Sequence, residues 1–352
     1  MNSKSNVKAM IDASILTSIF IVLTLVSSSL GLGFLGYYDF VVPIFFAIIF
    51  IKVGGKYGGL SLIVSAMILF FILGNPITSI MVVQGAILGF SVGIAITRFN
   101  CIGDEIVFIS VVSLFVLFVF DFILRSFTNV SIVSNFGEVS KEISQTIDSA
   151  IKIIKDNGGK VELLKVLESY KLMMGTNFFK QIFYFNFGLM SFGNGFIVYF
   201  LSIIIIKKLN FRINRNSYKL NLASNMKKNM RLIFLSKKIF LMMLVYVLFI
   251  EILKVFKFET GLSYIDGKIY SIEYIFMIFT FKDAVVIVEN KMIAERGNIK
   301  SVRLYRGILI VMLLINPKLM YFAAILNYVL NDRRGEYRNL FERALNKNLS
   351  YR

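Results

Sequence analysis

The chain has 352 residues, 57% of them hydrophobic and 15% aromatic, with a formal net charge of +18 and a mean hydropathy of +0.74. A soluble domain averages about 45–50% apolar residues and does not repeat uncharged runs of about twenty residues, so a water-soluble globular protein is excluded. Histidine and tryptophan are absent and the single cysteine is Cys101, which removes an internal disulfide, the commonest metal ligand and the commonest acid–base group near neutral pH.

Nucleic acid is not an expected partner. The basic residues sit in short segments beside apolar runs, where they orient helices and meet anionic lipid head groups. Lys4 and Lys8 precede any acid and place the N-terminus in the cytoplasm. A first span follows at about Ala9–Leu30, without an A-x-A-like cleavage end, and is read as retained. Asp12 in its first turn is expected to pair with Lys8. The loop GLGFLGYYD carries Asp39 and no base, so it lies outside. Spans 2 and 3, about Phe40–Val53 and Gly58–Leu73, are joined by GGKYGG at Gly54–Gly59. Gly74-Asn75-Pro76 is a strong turn signal before span 4, about Ile77–Ile96. Span 5 is about Glu105–Leu124.

From Arg125 to Lys180 acids and bases are interspersed and no run is long enough to span. Ile143, Ile147, Ile151 and Ile154, then Leu163, Leu164, Leu167 and Met174, recur at helical spacing and predict two amphipathic helices outside the membrane. Span 6, about Gln181–Ile206, leads into Lys207–Lys238, which carries ten Lys/Arg and no Asp or Glu and therefore stays in the cytoplasm. Spans 7 and 8 are about Ile239–Val255 and Ser271–Met292. The last apolar region is broken at Asn316-Pro317-Lys318. A pair of short half-helices keeps the basic tail inside and is preferred over one kinked span. Glu336–Lys347 reads as a short amphipathic surface helix.

The expected fold is therefore all-α: a polytopic helical membrane bundle of about eight full spans, with a broken or re-entrant C-terminal pair. Residues 1–208 form a six-span module with an external insertion at 125–180, and residues 209–352 form the back part.

Gly85, Gly89 and Gly93 form a GxxxGxxxG ladder on span 4, and Ala9, Ala13 and Thr17 share that spacing on span 1. Small residues at every fourth position let another helix backbone approach, within this chain or from a partner subunit. Polar groups inside a bilayer are costly, which singles out Gln84, Asp121, Asn186 and Asn194. Asp121 has Arg125 one turn on, and the two asparagines are read as sharing a face. Lys282-Asp283 lies near the middle of span 8, with Glu251 on span 7 as the expected partner of Lys282. The sequence holds no HExxH, Walker A, GxSxG or CxxC motif, so no enzyme, metal site or cofactor is expected. The DxxxE of Asp332 and Glu336 is surrounded by Arg333, Arg334 and Arg338 and reads as a solvated face.

VVPIFFAIIF before GGKYGG, the small residues of span 1 and the glycine ladder of span 4 resemble the S components of energy-coupling-factor vitamin transporters. The whole chain, with Leu330-Asn331-Asp332-Arg333-Arg334 and Arg338 near its end, resembles the YybS-like family of bacterial membrane proteins. It departs from that pattern in having no proline in Arg231–Ile239 and Phe281-Lys282-Asp283-Ala284 where a Gln-Gly pair is usual. The resemblance implies a bacterial cytoplasmic membrane, a partner face at Ala9 and Ala13, and a small-molecule pocket near Asp39, Asn75, Gln84, Asp121, Asn186 and Asn194. The expected function is binding, or helping to transport, a small molecule alongside another membrane subunit. The alternative is a non-transporting scaffold or regulatory protein that uses the external helices and the basic segment.

Overall fold

A computed structural model of the chain describes residues 3–32, 36–74, 76–99, 101–128, 132–156, 164–168, 176–209, 233–256, 263–296 and 299–331. The described elements are all helical. They are α1 (Ser3–Ser29), a short π-helix (Tyr37–Val41), α2 (Val42–Leu73), α3 (Pro76–Arg98), α4 (Ile102–Thr128), α5 (Ile132–Asp156), α6 (Thr176–Lys208), α7 (Lys237–Val255), α8 (Ser263–Arg296), α9 (Ile299–Ile315) and α10 (Pro317–Asn331). Asn75, Leu163, Met174, most of the basic stretch and the tail helix expected at Glu336–Lys347 lie outside the described residues.

Among the described residues, five helical stretches are long and apolar enough to cross a membrane: Asn6–Ser29, Tyr37–Leu73, Ile77–Arg98, Ile102–Ile123 and Tyr184–Lys208. The second is bent at Gly54, whose φ of 83° and ψ of 171° leave the helical region. A left-handed φ costs glycine nothing and most other residues a steric clash. The two limbs of α2 run in opposite directions, as the neighbouring helices show. A Cβ added to Gly85 would lie 2.8 Å from the Tyr38 carbonyl oxygen, one on Gly89 2.2 Å from that of Pro43, and one on Gly93 2.6 Å from the Phe50 ring. These contacts advance together along both helices, so α3 runs parallel to the first limb and the second limb must carry the chain back.

Helix α1 packs antiparallel to the first limb. Asp12 pairs with Lys52 at 3.7 Å, Phe20 meets Phe45 and Phe46 with ring centroids 5.3 and 4.9 Å apart, and Thr24 Oγ1 lies 3.0 Å from the Tyr37 hydroxyl. The partner of Asp12 is therefore on the adjacent helix rather than Lys8, because antiparallel packing brings the start of α1 to the end of the first limb of α2. Ala13 and Thr17 are each 6% exposed, Ala9 is half-buried, and Thr17 Oγ1 donates to the Ala13 carbonyl at 2.7 Å. This small-residue face packs inside the chain against α2, the first of the two readings of its spacing. Its apolar opposite face, including Ile11, Ile15, Ile19 and Val22, is exposed.

Helix α4 packs on α6 through Gly195, where an added Cβ would lie 3.1 Å from Ile109. Helix α6 packs on α8 through Gly188, 2.9 Å by the same measure from the Ser271 carbonyl oxygen, and Ser271 Oγ donates to the Tyr184 carbonyl at 3.0 Å. One apolar core then continues from Ile109, Phe187 and Tyr199 into Phe240, Ile275 and Tyr321, across the boundary drawn at residue 208.

A non-helical segment, Ile233–Ser236, enters this core, with Ile233, Phe234 and Leu235 buried. The Ser236 carbonyl accepts the Phe240 N–H of α7 at 2.9 Å, and side chains hold other backbone groups of the segment. Asp283 Oδ1 accepts from the Leu235 N–H at 3.0 Å and Asp104 Oδ1 from the Ser236 N–H at 2.9 Å. The Lys282 ammonium donates to the Ile233 carbonyl. Gly103 leaves room for the segment, since a Cβ there would sit 2.5 Å from the Phe234 oxygen.

Helices α9 and α10 form a hairpin. Arg306 of α9 meets Glu289 of α8 at 2.5 and 2.6 Å, and Tyr321 of α10 lies 3.0 Å from Thr280 of the same helix. The chain reverses at Asn316, whose Oδ1 accepts the Lys318 N–H at 2.8 Å. With 17 and 15 residues, the arms measure about 25 and 22 Å. Both are shorter than the roughly 30 Å hydrocarbon layer.

Two glycines test this packing. Gly89→Ala is expected to destabilise the detergent- or lipid-solubilised protein by about 1–3 kcal/mol, because rigid backbone must move. Gly59→Ala, with nothing within 4 Å of the added Cβ, is expected to be neutral or to stabilise by about 0.5–1 kcal/mol. Thermal unfolding of the two variants in parallel makes the comparison; equal effects would contradict the parallel contact of α3 with α2.

Candidate functional site

Between the π-helix, α3, α4 and α6 lies a cavity of about 160 Å³, with Asp39, Gln84, Ser113 and Asn194 in its wall among apolar side chains. Each wall has a local cause. Gly36, at φ 81°, starts the π-helix, and the Phe40 N–H bonds back to its carbonyl at 3.0 Å. The hydrogen bond from Tyr37 to Thr24 ties this turn to α1. Gly85 lets α3 close against the turn at Tyr38 and Val42. Tyr38 and Asp39 are thereby carried to one end of the cavity, where Asp39 is exposed.

The deeper wall is polar in an unusual way. Ser113 is 2% exposed, and among the described residues neither its Oγ nor Asn194 Oδ1 has a hydrogen-bond partner. A buried polar atom without a partner costs about 1–3 kcal/mol, and here two such atoms belong to residues that line one cavity. A serine in a helix ordinarily bonds its own preceding carbonyl, as Ser110 does to Ile106 at 2.7 Å.

Of the residues singled out from the sequence, Asp39, Gln84, Gly85 and Asn194 come together here. Asp121 is fully buried but next to the lining residue Phe120 rather than in the wall. Asn186 is exposed and does not share the face of Asn194. Eight residues at about 100° each overshoot two turns by about 80°, enough to turn one asparagine outward. Tyr38 and Ser113 were not singled out. A serine in a spanning helix is a weak signal, because it can satisfy itself on its own helix.

A second polar cluster lies in the back part. Lys254 Nζ is 2.9 Å from Glu251 and 2.5 Å from Glu273, and Lys318 at the hairpin's turn reaches Glu251 at 2.7 Å. Lys254 also lies 5.0 Å from the centre of the Tyr270 ring. Two carboxylates and two ammonium groups thus share one site joining α7, α8 and α10. Glu251 belongs to this cluster, whereas Lys282 lies nine residues beyond Glu273 on α8, about 13.5 Å along the axis, and with Asp283 holds the Ile233–Leu235 backbone. Among the described residues no group of three or more His, Cys, Asp or Glu side chains could hold a metal ion.

The chain belongs to the family described as "Predicted membrane protein (DUF2232)", whose model matches residues 15–329. No curated protein and no solved structure matches it. It is accordingly a multi-pass membrane protein in contact with the lipid bilayer.

Asn194→Leu replaces an unpartnered acceptor by an apolar group of similar size. It is expected to stabilise the ligand-free protein by about 1 kcal/mol, while Asn186→Leu, on the exposed face, changes little. Melting curves without added ligand check this; a clear loss for Asn194→Leu would mean that its oxygen is already satisfied.

Proposed function

We propose that this protein binds a small polar molecule in the Asp39–Gln84–Ser113–Asn194 cavity and acts as an S-component-like, non-enzymatic subunit of the bacterial cytoplasmic membrane. The observation that carries the reading is the pair of unpartnered oxygens on Ser113 and Asn194, two residues that line one cavity of about 160 Å³. That volume is close to the roughly 150 Å³ in which an engineered cavity accepts benzene, so the ligand has on the order of six to ten non-hydrogen atoms. Any transport requires an energising partner, because the chain has no nucleotide-binding loop. With Ala13 and Thr17 used inside the chain, such a partner would meet another surface.

The accompanying topology has about eight crossings, with both termini and the basic stretch in the cytoplasm. The two limbs of α2 count as two crossings, α7 and α8 as one each, and the α9–α10 hairpin enters and returns. Basic residues at Lys52, Arg98, Lys207-Lys208 and Lys291 support this sidedness. The cavity then lies in the outer half of the bundle, and α5 lies outside.

A thermal-stability screen of the protein in lipid, against small polar compounds of that size, tests the binding reading. The expected result is saturable protection by at least one compound, lost in Asn194→Leu and kept in Asn186→Leu. An empty screen together with stably co-purifying proteins would instead favour the scaffold reading. Sidedness has its own test. A cysteine at Ala150 in a Cys101→Ser background is expected to react with an impermeant thiol reagent in intact cells, and one at Leu220 only after permeabilisation.

A further inference from the structure

We infer that the ligand of this cavity is a small organic cation, held by Asp39 at the mouth and by neutral polar groups of Asn194 and Ser113 within; the inference rests on the binding reading above. The first observation is the charge of the wall. The sequence carries 39 Lys and Arg against 21 Asp and Glu, yet among the described lining residues the only formally charged side chain is Asp39 and none is Lys or Arg. An anionic ligand would meet a carboxylate of its own sign with no compensating base, in surroundings where water screens poorly.

Asp39 is available to such a ligand. It makes no ion pair among the described residues, whereas Asp12, the one acid of α1, is occupied by Lys52 at the other end of that helix. The backbone of Asp39 is set in place by the π-helix and the Phe40–Gly36 hydrogen bond, so little ordering is needed when a cation arrives. π-Helical turns recur at functional sites.

The rest of the wall suits the same ligand. Asn194 Oδ1 is an unsatisfied acceptor and Ser113 Oγ can accept as well as donate. Tyr38 and Phe120 add aromatic rings to the lining, and ring faces attract ammonium and amidinium groups. A planar body with a cationic end therefore finds a carboxylate, aromatic surface and hydrogen-bond acceptors, while a carboxylate end finds no positive charge.

Three probes of one shape separate the possibilities: benzamidine, benzamide and benzoate, alike in size and different only in charge. Protein in lipid is titrated with each at millimolar concentration, and the shift of the melting midpoint is read for the unaltered chain, Asp39→Asn and Asn194→Leu. Benzamidine is expected to bind roughly tenfold or more tightly than benzamide, the effect of one charge-assisted hydrogen bond, and benzoate more weakly still. Asp39→Asn is expected to bring benzamidine to the level of benzamide without changing benzamide itself. Benzoate binding as well as benzamidine, or benzamidine binding unchanged in Asp39→Asn, overturns the cationic assignment. If benzamide protects and Asn194→Leu abolishes that protection, the cavity survives as a binding site even when the preference for cations fails. Silence from all three probes overturns the inference as well, and the wider screen then decides the cavity on its own.

Discussion

Inside a bilayer there is no water to complete the hydrogen bonds of the backbone, so every non-helical stretch must find its partners in the protein itself. A protein core imposes the same demand, and the buried segment Ile233–Ser236 shows how it shapes the molecule. Asp104 on α4 and Asp283 on α8 accept its N–H groups, and Lys282 supplies a donor to its carbonyl. Those residues come from the front and back parts alike, so the segment leaving the basic stretch joins the two parts into one core. The charges that looked most expensive in the sequence are structural at this point: they replace the solvent that the buried backbone has lost.

The cavity is informative against that background. A chain that satisfies an extended backbone segment with three charged side chains leaves Ser113 Oγ and Asn194 Oδ1 without partners among the described residues, on two residues that line the same cavity. Other buried hydroxyls, such as those of Ser79 and Ser202, also lack a partner, but they do not share the wall of this cavity. The positions around the void are also unusually determined. Gly36 sets the π-helix, Gly85 admits it against α3, and the Tyr37–Thr24 bond anchors it to α1. Backbone rigidity at the mouth and unmet polar groups within are the two properties a preorganised site combines.

The back part follows a different rule. Glu251, Lys254, Glu273 and Lys318 balance in charge and converge where the hairpin turns. A buried ion pair gains little over an apolar contact, yet it specifies which groups may meet. Here it seats the turn of two short helices against α7 and α8, and Arg306 with Glu289 does the same further along α8. The hairpin's inner face also packs into the core through Tyr305, Leu309, Tyr321, Ala324 and Tyr328, while its outer face is exposed Leu, Ile and Val that lipid would accept at many positions.

What the amino-acid order determined by itself is the helical class, the run of long apolar segments (about eight by hydropathy, of which five stretches are long and apolar enough to span among the described residues), the amphipathic α5, the bend at Gly54 and the break at Asn316-Pro317. These are local properties, expressed through hydropathy, periodicity and the conformational limits of glycine and proline. It also nominated Asp39, Gln84 and Asn194, because a polar residue in an apolar run is conspicuous wherever it ends up. Tertiary structure decided the partners. It paired Asp12 with Lys52 and Glu251 with Lys254 and Lys318, turned Asn186 outward, buried Ala13 within the chain and brought Ser113 to the cavity wall. Each outcome depends on which face of one helix meets which face of another, and helix rotation is set by packing between segments far apart in the chain.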